Sequence, residues 1–188
     1  MNIGHEIIAD IAAALLSPAA LNASQAMAKG SLADVANWAD QVHREPEWSW
    51  SAPLHFLNVQ KDCPVGKTCV YERTRDCKDH RSPDFPFCVP AAVQNYTKQV
   101  PAATTEYPIR FLVHFMGDLH QPLHCALASD YGGNTIKVEF DIPNQGTKWD
   151  LHQVLLLPAV RCCAVHGAIE LNCESSAALE PSWISLCA

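Results

Sequence analysis

Between Phe111 and Leu127 the chain reads FLVHFMGDLHQPLHCAL, and no other stretch restricts its folding so tightly. Phe111, Leu112, Val113, Phe115, Met116 and Leu119 form an apolar run suited to a buried helix, yet His114, Asp118, His120 and His124 are set among them. On a helix His114 and Asp118, four positions apart, share one face about one turn apart. A carboxylate and imidazoles inside such a helix are unfavourable unless paired or bound to a metal. Together they can grip one ion. Pro122 bends or ends the helix, because its ring removes a backbone donor and crowds the preceding turn. His124 therefore leaves in a new direction and can serve a second ion. His–Asp hydrogen bonds at a helix end are the alternative use of the same residues.

The chain has 188 residues, enough for one domain with a sizeable core. A net charge of -7 argues against binding duplex DNA through a basic surface, though bound divalent ions would add positive charge that this count omits. Cys63, Cys69, Cys77 and Cys88 fall in one polar stretch that reads as a disulfide-stapled loop. A zinc knuckle fits less well, since no C-x-x-C pair occurs there. Asn22-Ala-Ser and Asn95-Tyr-Thr are glycosylation sequons, and with the Cys-rich loop they lean towards a secretory route. Met1 runs straight into NIGHEIIADIAAALL with no basic start and no clear cleavage site, so that route requires a leader outside this sequence. No apolar run reaches the roughly 18 residues of a membrane span.

The periodicity predicts an amphipathic helix over 3–16, with Ile7, Ile8, Ile11, Leu15 and Leu16 at helical spacing and His5 at its mouth. A second helical region follows over 24–42, with Ser31 and Asp34 as a capping pair and Asp40 near its end. Residues 44–58 read as an extended loop around Pro46 and Pro53, and 59–90 as the Cys-rich loop. Helices are expected over 89–102 and 107–121. SDYGG is a turn, NTIKVEF alternates as a strand with Ile136, Val138 and Phe140 on one side, and 143–148 is another turn. From about Leu155 the chain loses any amphipathic period and packs in four cysteines.

GHEIIADIA, NWADQV, WSAPLHF, NYTKQV, FLVHFMGDLHQPLH, YGGNTIKV and DLHQV occur in this order over residues 3–154. This set closely resembles the zinc-dependent class I nucleases of fungi, plants and protozoa. The resemblance implies a mainly α fold, a phospholipase C/single-strand nuclease-like helical domain with a short β-hairpin. Residues 1–154 would form a single, incomplete nuclease-family domain and 155–188 a divergent tail. It also implies three zinc ions, with fewer open to this chain. Asp40, His55, His114 and Asp118 would hold one. Asp118 would bridge to a second, which His5 also binds. His124 and His152 would hold the third. Asp40 and Asp118 are the catalytic carboxylates on this reading, and His120 is not a ligand. Phe56 would stack a base, with Asn58 and Asn134 nearby. Substrates would be single-stranded RNA or DNA, cut to leave 5'-phosphates, and 3'-nucleotides. No membrane span and no protein partner are implied, and secretion is.

The chain departs from the family pattern at four places. The family's N-terminal Trp ligand should stand five residues before His5, where this chain begins four before it with Met1. The Asp expected four residues after His152 is Leu156, and Asp150 is a poor substitute two residues before that His. The basic residue expected three after Asp40 is His43, and the base-contacting Asp two after Phe56 is Asn58. The odd tail and the short length point to a sequence that diverges from the family after Val154, as a frameshift or mis-splicing would produce. Two alternatives to an active nuclease stay open: an inactive truncated paralogue with a partial zinc site, and a zinc phospholipase C.

Overall fold

The computed structural model describes residues 3–60, 71–77, 87–142 and 146–155. It is mainly α, as the sequence predicts. α1 spans Ile3–Leu15, α2 Pro18–Ala28, α3 Leu32–Val35 and α4 Trp38–Val42. The Ser17 and Ser31 hydroxyls accept from the Ala20 and Asp34 amides and start α2 and α3. The single helical region expected over 24–42 is therefore three helices. Lys29 takes a left-handed conformation (φ 57°) and the Gly30 amide returns to the Gln25 carbonyl, which closes α2.

Residues 49–54 form a 3₁₀ helix instead of the expected loop, and strand β1 (Leu57–Val59) follows. The short helix α5 (Arg73–Asp76) leads to Cys77, which is bonded to Cys88 at the head of α6 (Val89–Gln99). Cys63 and Cys69 lie outside the described residues.

α7 (Tyr107–Leu119) is the axis of the molecule and meets α1, α2, α3, α4 and α6. Pro108 suits its first turn. Its end is set by Pro122, which disfavours helical geometry at Gln121 (φ -95°, ψ 111°). Phe111 and Phe115 stack one helical turn apart, centroids 5.3 Å, and are buried with Leu54, Leu57, Val89 and Tyr96. Each Phe contributes roughly 1.5–3 kcal/mol by leaving water.

β2 (Cys125–Leu127) pairs in parallel with β1, Leu57 opposite Cys125. This pairing was not legible in runs of three residues, and it places His55 and Phe56 beside His124. β3 (Lys137–Ile142) and β4 (Gly146–Asp150) make the expected antiparallel hairpin, with an irregularity between Glu139 and Ile142. β4 takes in residues expected to be turn. It feeds α8 (Leu151–Leu155), which carries His152. The divergent tail beyond Leu155 lies outside the described residues.

Candidate metal centre

Five segments deliver side chains to one spot. α1 brings His5, α4 brings Asp40, and the end of the 3₁₀ helix brings His55. α7 brings His114 and Asp118, both buried. The 3₁₀ turn Pro122–His124 starts with the Gln121 side chain accepting from the Leu123 amide. It turns His124 back, so that Nδ1 stands 3.0 Å from Asp118 Oδ1.

Asp118 is the hub. His5 Nε2 lies 3.5 Å from Oδ1, while His55 Nδ1 and His114 Nε2 lie 3.1 and 3.3 Å from Oδ2. Asp40 faces the same nitrogens, 3.9 Å from His5, 3.6 Å from His55 and 3.5 Å from His114. It is not the solvated surface residue that a lone Asp suggests, although its side chain stays 39% exposed. Two overlapping sets could hold an ion: His5, His114 and Asp118, and Asp40, His55 and His114, each with its ligand atoms within 4.8 Å of one another.

The residues fit a metal on their own geometry. Asp118 Oδ2 is buried and, with imidazoles around it, receives no hydrogen bond; His5 Nδ1 and His55 Nε2 are also buried without one. Such orphaned polar atoms are unfavourable in a dry interior, and a cation among facing donor atoms relieves the carboxylate. The outer contacts orient the rings. His114 Nδ1 sits 2.7 Å from the Ala36 carbonyl, His124 Nδ1 2.9 Å from the His55 carbonyl and His152 Nδ1 2.8 Å from the Gly132 carbonyl. Each Nδ1–H donates there, so Nε2 is the nitrogen that each ring would offer to a metal ion.

Electrostatics follow from this crowding. Burial pulls the Asp118 carboxyl up, but the close approach and charge of His114, with His124 and His55 beside it, hold it well below the usual carboxylate range. For Asp40 burial again opposes, and His114 with His55 prevails, giving about 2. Burial lowers His114, and Asp118 and Asp40 more than reverse this, to about 10. Burial and the neighbouring His114 push His5 down to about 4. His55 and His152 are lowered, chiefly by burial. Both carboxylates are ionised at neutral pH, and His5 presents a neutral ring.

His152 stacks on His124, centroids 5.0 Å apart. These two stand beside the main cluster and border a cavity of about 280 Å³, also lined by Phe56, Asn58, Tyr131 and Asn134. Phe56 is 42% exposed there. The Asn134 side chain donates to the Tyr131 carbonyl at 2.7 Å. Tyr131 was missed by the sequence reading; its signal was a bulky residue directly before two glycines. Protein packs closely against those glycines: a Cβ on Gly132 (φ 64°) would collide with the Leu123 carbonyl, and one on Gly133 (φ 80°) would crowd Leu123 and Leu151. Asp150 is a helix cap. Its carboxylate accepts from the Gln153 amide at 2.7 Å while Gln153 Oε1 accepts from the Asp150 amide at 3.2 Å. Leu156, where the family ligand is expected, lies outside the described residues. His120 is exposed and bonds back to the Met116 carbonyl, away from the cluster. His43 Nδ1 approaches Asp40 at 4.0 Å.

A family model described as S1/P1 Nuclease matches residues 1–155. The chain belongs to the S1/P1 nuclease family. That family uses metal, in keeping with the His and Asp groups gathered here. Endonuclease 2 of Arabidopsis thaliana is 39% identical over 151 residues, 73% of this chain and 49% of the relative. Endonuclease 3 of the same plant is 40% identical over 138 residues, 68% of this chain and 42% of the relative. Nuclease P1 of Penicillium citrinum is 35% identical over 161 residues, 80% and 56% of the two chains. The chain thus spans about half the length of these S1/P1 relatives.

Proposed function

We propose that this chain is a zinc-dependent nuclease that cuts single-stranded RNA or DNA to 5'-phosphate products and also hydrolyses 3'-nucleotides. One observation carries the reading: a buried carboxylate, Asp118, meets His5, His55, His114 and His124 beside a cavity bordered by an exposed Phe56. His5, Asp40, His55, His114 and Asp118 would hold zinc in the main cluster, and His124 with His152 a further ion. Bound there, zinc supplies Lewis-acid polarisation of a phosphoryl oxygen and activation of water.

The residues of the chain do the rest. Asp118, held ionised, binds and aligns four imidazoles. Asp40, the more exposed carboxylate, accepts a hydrogen bond from an incoming water and orients it. Phe56 offers its face to an unpaired base, a mode of recognition tolerant of sequence. Asn58 supplies both a donor and an acceptor for base edges, and Asn134 lines the same cavity. A secretory origin is supported by the Cys77–Cys88 bond and by sequons at Asn22 and Asn95.

The test combines elemental analysis of the purified full chain with hydrolysis of 3'-AMP, single-stranded RNA and DNA, and a phosphocholine ester, each with and without chelator. Bound zinc and chelator-sensitive release of phosphate from 3'-AMP support the reading. Hydrolysis of the phosphocholine ester alone would make it a phospholipase. Bound zinc with no hydrolysis at all would leave a metal-binding paralogue without the activity.

A further inference from the structure

Three ligand-bearing elements converge on Ala36 and Asn37, the two residues just before α4. The Ala36 carbonyl accepts from His114 Nδ1 at 2.7 Å. The Asn37 carbonyl accepts from the Gln41 amide at 3.3 Å, opening α4, which carries Asp40. The Asn37 side chain, on a residue only 6% exposed, donates through Nδ2 to Glu6 Oε1 at 2.7 Å. Glu6 directly follows His5 on α1.

The last bond has a specific job. α1 packs through Ala9 against Leu32 and Ala36. A seam of small apolar side chains sets the distance between helices but resists sliding and rotation weakly, because dispersion contacts have no direction. His5 needs both to be fixed. Its ring is wedged between Gly117 and the stacked His114 ring, centroids 4.0 Å apart. A directional hydrogen bond one residue from His5 supplies that restraint and ties it to the segment that holds His114 and Asp40.

We propose that Asn37, acting through Glu6, is a positioning residue that sets His5 for metal binding. This rests on the metal reading of the cluster. The full chain is stripped of metal and titrated with zinc against a chromophoric competitor, with circular dichroism to check the metal-free fold. Asn37→Ala and Glu6→Ala are expected to weaken the ion that needs His5 by about 10–100-fold, the range for lost outer partners of metal ligands. Ala is the best helix former, so Glu6→Ala keeps α1 helical and reaches the same bond if Asn37→Ala fails to fold. Glu6→Gln retains the acceptor and is expected to stay within about threefold of the parent, less than a typical lost hydrogen bond.

The inference falls if Asn37→Ala and Glu6→Ala bind zinc as tightly as a metal-binding parent. It also falls if Glu6→Gln drops as far as Glu6→Ala, since charge and not the bond would then be at work. A parent that takes up no zinc overturns the metal reading and this inference with it.

Discussion

Gly117→Ala offers a sharp test of how closely α1 and α7 must approach. In an ordinary helix this change stabilises by about 1 kcal/mol, because alanine loses less backbone freedom on folding. Here a Cβ would run into His5 Nδ1 and stand 3.1 Å from both Cε1 and Cγ of that ring. The ring cannot retreat easily. His114 stacks behind it at 4.0 Å and is itself held 2.7 Å from the Ala36 carbonyl. Relief requires α1 to move out or the ring to leave its rotamer. Overpacking of this kind costs about 1–3 kcal/mol, which outweighs the helix gain. We expect a net loss of up to about 2 kcal/mol, read as a fall in the metal-free Tm of up to roughly 8 °C for a chain of this size. His5 is displaced, so zinc affinity should fall by about 10–100-fold as well. Thermal unfolding of metal-free protein gives the first number and competitive zinc titration the second. A variant with raised Tm and undiminished zinc binding would refute the close approach and the role given to His5 in the cluster.

Four further outcomes follow from the same structure. The metal-free cluster holds a proton on His114, raised to about 10, while His5 at about 4 and Asp40 at about 2 carry none at neutral pH. Zinc must displace that proton, so affinity should rise about tenfold per pH unit from neutrality towards the His114 value, with about one proton released per ion in a weakly buffered indicator assay; no release would contradict it. For metal-free stability the sign is the usual one for a raised pKa: the His114 contribution is complete below its unfolded value of 6.5 and is lost as pH rises through about 10, which urea titrations across that range would detect. Cys77→Ser opens a loop spanning a separation of 11 residues and should cost about 3 kcal/mol in the chain-entropy account, measured by denaturant unfolding with and without reductant. Phe56→Ala removes an exposed ring from the cavity wall and should raise KM for 3'-AMP by about 5- to 150-fold, equivalent to ~1–3 kcal/mol of base stacking, with zinc content unchanged; equal losses of zinc would show that the ring serves the fold instead.

Much was legible before any fold was in view. The ordered motifs carried the family, and the His114–Asp118 spacing put both side chains on one helical face because a helix repeats on that scale. Pro122 announced the end of α7 and the turn of His124. Ser31 announced a cap. These are local effects, decided by backbone geometry within a few residues. The break at Lys29, the 3₁₀ helix before His55 and the β1–β2 pairing were not legible, since short elements carry too few residues for any period to stand out.

The sequence by itself determined which chemistry the chain could host: donor types, their order, and the helix that presents two of them. Only the tertiary structure decided where each stands. His5 lies more than a hundred residues from Asp118 along the chain, yet packs against it because Gly117 leaves room for its ring. Asp40, which alone reads as a surface acid, faces three imidazoles because α4 docks on α7. Asp150, a poor substitute ligand by its position in the sequence, spends its carboxylate on a helix cap. Asn37 carries no local mark of its bond to Glu6, and Tyr131 only its place before two glycines. Non-local contacts decide such matters, because the direction a side chain faces depends on what its whole element packs against.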